Sequence, residues 1–210
     1  MIKYILAALM LGGIAGYLDA NWATVVNSVW VSDYLLNASL ILLLFVMGAA
    51  FAMDKGSFSK IRQTGPRILI VPLAIVLGTI LSGVVSALVL GINVTATTAV
   101  SAGFGWYTLT GPLVSQLFGA KWGALGFAAN FLRELLTILT VSLMVKVDKY
   151  APTASGGATA MDTTLPIIVR YCGSDTLITA FSSGFVLSII APFTIMAIAA
   201  LGRVPIPLFL

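Results

Sequence analysis

The chain has 210 residues, 60% of them hydrophobic and 9% charged, with a mean hydropathy of +1.08. A soluble domain carries about 25% charged residues, so the charges here are too few to cover a water-exposed surface. The net charge is only +4, no basic tract is interleaved with aromatics, histidine is absent and Cys172 is the single cysteine, which argues against nucleic-acid binding, an internal disulfide and the usual zinc or haem ligand sets.

Five runs are long enough to cross a bilayer as α-helices: 3–19, 34–53, 68–90, 123–147 and 176–201. They are continuous, whereas a β-barrel alternates apolar and polar residues over short segments, so the expected class is an all-α polytopic membrane protein. The first run has the basic flank of a signal peptide in Lys3. Its small-x-small triplet, Gly13-Ile14-Ala15, lies inside the run, and Tyr17, Leu18 and Asp19 occupy the place of a cleavage site, so it reads as a retained helix.

Two further stretches, 95–118 and 151–170, are apolar but badly made for a continuous helix. The first carries Gly103, Gly105 and Gly111 followed by Pro112, and the second carries Gly156 and Gly157 followed by Pro166. Glycine clusters and proline interrupt the helical hydrogen-bond ladder, and such backbone is tolerated at membrane depth only inside protein or lining a cavity. Laid over each other at an offset of 54 residues, the stretches match at Ser101/Ser155, Gly103/Gly157, Thr110/Thr164 and Pro112/Pro166. Each follows a long span.

Treating both as re-entrant hairpins, with the N-terminus inside, puts Lys3, Lys55, Lys60, Arg62, Arg67, Lys146, Lys149 and Arg170 on the cytoplasmic side. Only Lys121 and Arg203 then fall outside, a better fit to the positive-inside rule than two full crossings. The expectation is one transmembrane domain over 1–210, with a cytoplasmic N-terminus, an outer C-terminus and two hairpins forming an inverted repeat. In secondary transporters of that build the substrate site lies near the midplane, where discontinuous helices meet.

Charges near the centre of a span cost about 3 kcal/mol each and rarely face lipid, which singles out Arg133 and Glu134. They either neutralise one another structurally or line a polar path. Asn130, Glu134 and Thr137 recur at helical spacing, and that stripe favours the path. Asp162 precedes Thr163, Thr164 and Pro166, where it can cap a half-helix or bind a cation or proton. Tyr107, Thr108 and Thr110 sit among glycines that allow close approach to a ligand. Two carboxylates suit the ammonium groups of a cationic amino acid, with Arg133 or hairpin N–H groups for its carboxylate. Carboxylates that also bind protons give the outline of proton–cation antiport. No metal or other cofactor is expected.

Three stretches resemble the LysO lysine exporter family: Gly103 to Gly111, Asn130 to Leu135, and Gly156 to Pro166. They occur in the family's order and spacing between about residues 35 and 200. The resemblance implies export of lysine and its analogue thialysine across the prokaryotic cytoplasmic membrane, with Glu134 and Asp162 as the two central acidic residues. Phe104 to Gly111 keeps the family's FGWYSLSG pattern with threonine at both serine positions. Full-length members carry about three more spans at the N-terminus, so the resemblance is to their C-terminal portion. It implies either a small membrane partner subunit or a self-sufficient homodimer. Another cationic amino acid or organic ion is the rival substrate. An intramembrane aspartyl protease lacks its Tyr-Asp and Gly-x-Gly-Asp motifs here, and a non-transporting scaffold would tolerate neutral replacements of Glu134 and Asp162.

Overall fold

The computed structural model describes residues 69–203 and, ahead of them, helical positions at Met10, Leu11, Ile14, Ala38, Ser39, Ile41, Leu42, Phe45, Val46, Ala49 and Met53. The chain divides into two compact units, Met1–Ala49 and Ala50–Leu210. Apart from those positions, the expected spans 3–19 and 34–53 lie outside the described residues, as do Lys3 and the loop Lys55–Arg67.

The described residues are helical with no strand among them, an all-α architecture. In order they form α1 (Ile70–Leu90), α2 (Val94–Ser101), α3 (Tyr107–Phe118), α4 (Ala120–Met144), α5 (Ala151–Gly156), α6 (Leu165–Cys172) and α7 (Leu177–Arg203). One 3₁₀ turn, Gly157–Met161, links α5 towards α6, and a second, Ser174–Thr176, leads into α7. Three helical stretches, Ile70–Leu90, Ala120–Met144 and Ser174–Gly202, are long and apolar enough to cross a membrane, and they correspond to the last three expected spans.

Local chemistry explains the boundaries. α1 stops at Gly91, whose φ of 63° is the left-handed cap conformation and whose N–H returns to the Ala87 carbonyl. Two residues on, the Asn93 side chain accepts the Ala96 N–H at 2.8 Å and starts α2. The break between α2 and α3 falls at 102–106, ahead of Pro112. Pro112 is carried inside α3, where it has no N–H to give the Thr108 carbonyl. In the second stretch Pro166 occupies the first turn of α6, which tolerates the missing donor.

Small residues let the helices approach closely, as in membrane bundles where apolar burial alone gives no drive. A Cβ on Gly123 of α4 would meet the Gly111 carbonyl at 2.8 Å, and one on Gly184 of α7 would meet the Met161 nitrogen at 2.6 Å. The Gly184 contact seats the 3₁₀ turn against α7. α2 is buried along Ala96–Val100, whereas α1 exposes Ile70, Leu73, Leu77, Leu81 and Leu88 on an apolar face suited to lipid. At the far edge, Lys149 and Asp175 form an exposed ion pair at 2.8 Å, and the Asp175 carboxylate raises the Lys149 pKa above its ordinary value.

Candidate functional site

The two broken stretches touch at their tips. The Ala158 N–H donates to the Phe104 carbonyl at 2.8 Å, joining two residues that the 54-residue offset pairs with each other. Phe104 has φ 52°, Gly105 97° and Gly157 63°, so both tips turn through the left-handed region where glycine is favoured. A Cβ on Gly157 would run into the Phe104 carbonyl oxygen. The contact point is closed, with Phe104 and Ala158 both buried.

α4 fastens both tips. The Asn130 amide donates to the carbonyls of Val100 and Gly126, both at 2.9 Å, and accepts the Gly105 N–H at 2.7 Å. Its donors and acceptor are thus committed to backbone, which makes Asn130 the anchor of the first turn. One helical turn on, Arg133 donates through Nε to the Ser155 carbonyl at 2.7 Å and through Nη2 to the Ala154 carbonyl at 2.9 Å. Those carbonyls end α5, and a cation there satisfies groups the helix leaves unpaired and complements its dipole. Thr137 adds a hydroxyl contact to Ser155 at 2.7 Å. Arg133 and Glu134 therefore do not pair, and the one ion pair among the described residues is Lys149–Asp175.

Glu134 points the other way. Its carboxylate meets the hydroxyls of Tyr107 from α3 and Thr163 from the turn before α6, and Asp162 lies within electrostatic reach of it. Glu134 is 5% exposed, and its Oε2 is enclosed with no hydrogen-bond partner. Asp162 is exposed, its Oδ1 accepting the backbone N–H and, at 3.3 Å, the hydroxyl of Thr163. It does not cap α6, whose N-cap is Thr164, without a side-chain cap bond. Tyr107 is set by two edge-on rings, Phe127 at 5.3 Å and Phe131 at 5.5 Å.

The fold thus gathers Tyr107, Glu134, Asp162 and Thr163 into one polar cluster, with Asn130 and Arg133 behind it as fasteners. Thr108 is exposed on the first turn of α3. Thr110 is fully buried, donating to the Trp106 carbonyl at 2.7 Å and packed where a Gly103 Cβ would stand. Gly111 faces Phe127 of α4, and Gly156 ends α5 against Thr164. Sequence reasoning passed over Phe127 and Phe131, although their spacing of four on α4 was a visible cue, and over the backbone groups of Phe104 and Ala158. Those two have no side-chain signature.

This arrangement joins three motifs that lie far apart in the chain. The sequence model of the family described as "Lysine exporter LysO" matches residues 6–199. The chain belongs to the lysine exporter LysO family. It is similar to the "Lysine exporter LysO" of Escherichia coli (strain K12), 32% identical over 162 residues that cover 77% of this chain and 54% of the relative. The chain thus spans about half the length of that relative. It is also 28% identical over 195 residues to a Haemophilus influenzae protein named "Putative lysine exporter", covering 93% of this chain and 96% of that one. No solved structure matches. Membership in this exporter family and three membrane-length apolar helices among the described residues mark the chain as a membrane protein.

Proposed function

We propose that this chain carries lysine out across the cytoplasmic membrane in exchange for protons, through the cluster of Tyr107, Glu134, Asp162 and Thr163. The observation that carries the reading is the convergence of the three family motifs on Glu134: Tyr107 from the first, Glu134 from the second, Asp162 and Thr163 from the third. Lysine brings two ammonium groups and one carboxylate, and a pair of acidic side chains with hydroxyls around them matches the ammonium chemistry. The names of both relatives point to the same substrate. The inverted-repeat architecture draws support from the tip-to-tip bond between residues paired by the internal offset, and a cytoplasmic N-terminus with an outer C-terminus from the distribution of Lys and Arg. A homodimer or a small membrane partner subunit belongs to the same proposal. So does handling of thialysine, which differs from lysine by one sulfur for a methylene.

The experiment is uptake of radiolabelled lysine into inside-out vesicles bearing the chain, with and without a pH gradient, alone and beside Glu134→Gln and Asp162→Asn. The expected outcome is gradient-dependent uptake that both variants lose. Gradient-driven uptake of arginine or ornithine in place of lysine would redirect the substrate and keep the site. Variants as active as the unmutated chain would refute the site.

A further inference from the structure

We propose that the two acidic residues divide the work: exposed Asp162 holds the ammonium group of the departing substrate, and enclosed Glu134 carries the proton that enters in exchange. This rests on the transport reading above and deepens it. The two carboxylates are neighbours in very different surroundings. Asp162 is exposed on the turn, with one oxygen held by Thr163. Glu134 is 5% exposed, and its Oε2 is buried without a donor.

An enclosed carboxylate oxygen with no hydrogen bond is costly while charged, and a proton placed on it removes the charge that enclosure penalises. An ammonium ion is bulkier than a proton and brings three N–H donors of its own, whereas a single proton completes a carboxylate that already meets the hydroxyls of Tyr107 and Thr163. The nearby titratable groups are few. On elements packed against α4, Tyr107 and Asp162 face Glu134, while Arg170, Tyr171 and Cys172 are carried on α6 and Arg133 is turned to the α5 carbonyls. Among the described residues no cation faces Glu134, a setting that suits a proton as its partner. When the proton arrives, the repulsion between the two carboxylates falls and Asp162 alone is left to hold or release the substrate. The exchange is then one ammonium charge for one proton.

The test separates two activities of the full chain in proteoliposomes. One is exchange of radiolabelled lysine for unlabelled lysine at equal pH, which needs no proton turnover. The other is accumulation driven by a pH gradient. Glu134→Gln is expected to keep lysine exchange while losing gradient-driven accumulation by about tenfold or more, since Gln cannot carry the proton, and Asp162→Asn to lose both by about tenfold or more, since the ammonium group loses its charged partner. Glu134→Asp, which restores a titratable group, is expected to regain part of the driven accumulation. Lysine binding to purified Glu134→Gln, followed by thermal shift, is expected to persist and guards against a misfolded variant. Loss of exchange and of binding in folded Glu134→Gln, or exchange that survives in Asp162→Asn, would overturn the division. A lack of both lysine activities in the unmutated chain would instead overturn the lysine reading itself.

Discussion

At the scale of single residues, Arg133 is the side chain whose contacts the sequence least foretells. As a half-buried cation near a candidate substrate site it invites assignment to the lysine carboxylate, yet its guanidinium spans the Ser155 and Ala154 carbonyls. Hydrogen bonds to a charged group contribute about 1.5–3 kcal/mol each, so releasing them for substrate is unfavourable. Arg133→Lys keeps the charge without the planar fork and should lower thermal stability modestly, and Arg133→Gln should lower it more. If Arg133 only positions the turn, both variants change transport of lysine and of lysinamide, which has no carboxylate, by the same factor. A loss confined to lysine shows that the guanidinium reads the carboxylate.

Gly157 is a second residue-scale constraint. Its φ of 63° and its approach to the Phe104 carbonyl exclude a side chain. Gly157→Ala should cost at least ~1–2 kcal/mol from the backbone conformation alone, with the steric conflict added. Gly78, exposed on α1 with nothing within 4 Å of its Cβ direction, is the contrast. Gly78→Ala should be neutral or stabilising by about 0.5–1 kcal/mol, through the usual helical preference. Unfolding temperatures in detergent, followed by intrinsic fluorescence, distinguish the two.

At the scale of elements, α4 is both wall and scaffold. Its successive faces hold the first turn through Asn130, the second through Arg133 and Thr137, and the polar cluster through Glu134. The helical stripe Asn130, Glu134, Thr137 was legible in the sequence because spacing on one helix is a local property. That Asn130 and Thr137 hold the two broken stretches and Glu134 serves the cluster was not legible, since their partners arrive from other segments. The breaks show the same limit. Both interrupted stretches were readable from glycine and proline, but the first turn forms ahead of Pro112, because Phe104 and Gly105 supply the left-handed backbone that reverses the chain.

At the scale of the whole molecule, α1 presents Ile70, Leu73, Leu77, Leu81 and Leu88 outward along its length. A face of that kind is stable in hydrocarbon and costly in water. Leu81→Arg should raise the cost of inserting this span by about 2.5–3.5 kcal/mol, while Leu81→Ala should leave it inserted. Glycosylation mapping of the span in a membrane-insertion assay reads the difference, and equal insertion of the two variants would show that the face meets protein or water in place of lipid.

Hydropathy and glycine–proline punctuation made legible in the sequence that the chain is an all-α membrane protein with interrupted helices at 102–106 and 157–164, and intramembrane charge drew attention to Glu134 and Asp162. These are short-range properties, because transfer to hydrocarbon and loss of a helical hydrogen bond depend on a residue and its near neighbours. Tertiary structure alone decided which polar groups meet: Phe104 with Ala158, Asn130 with Gly105, and Arg133 with the end of α5. It also decided that Glu134 is enclosed while Asp162 stands open. The reason is that a buried polar group must find its partner somewhere in three dimensions, and at membrane depth that partner came from segments more than 20 residues away.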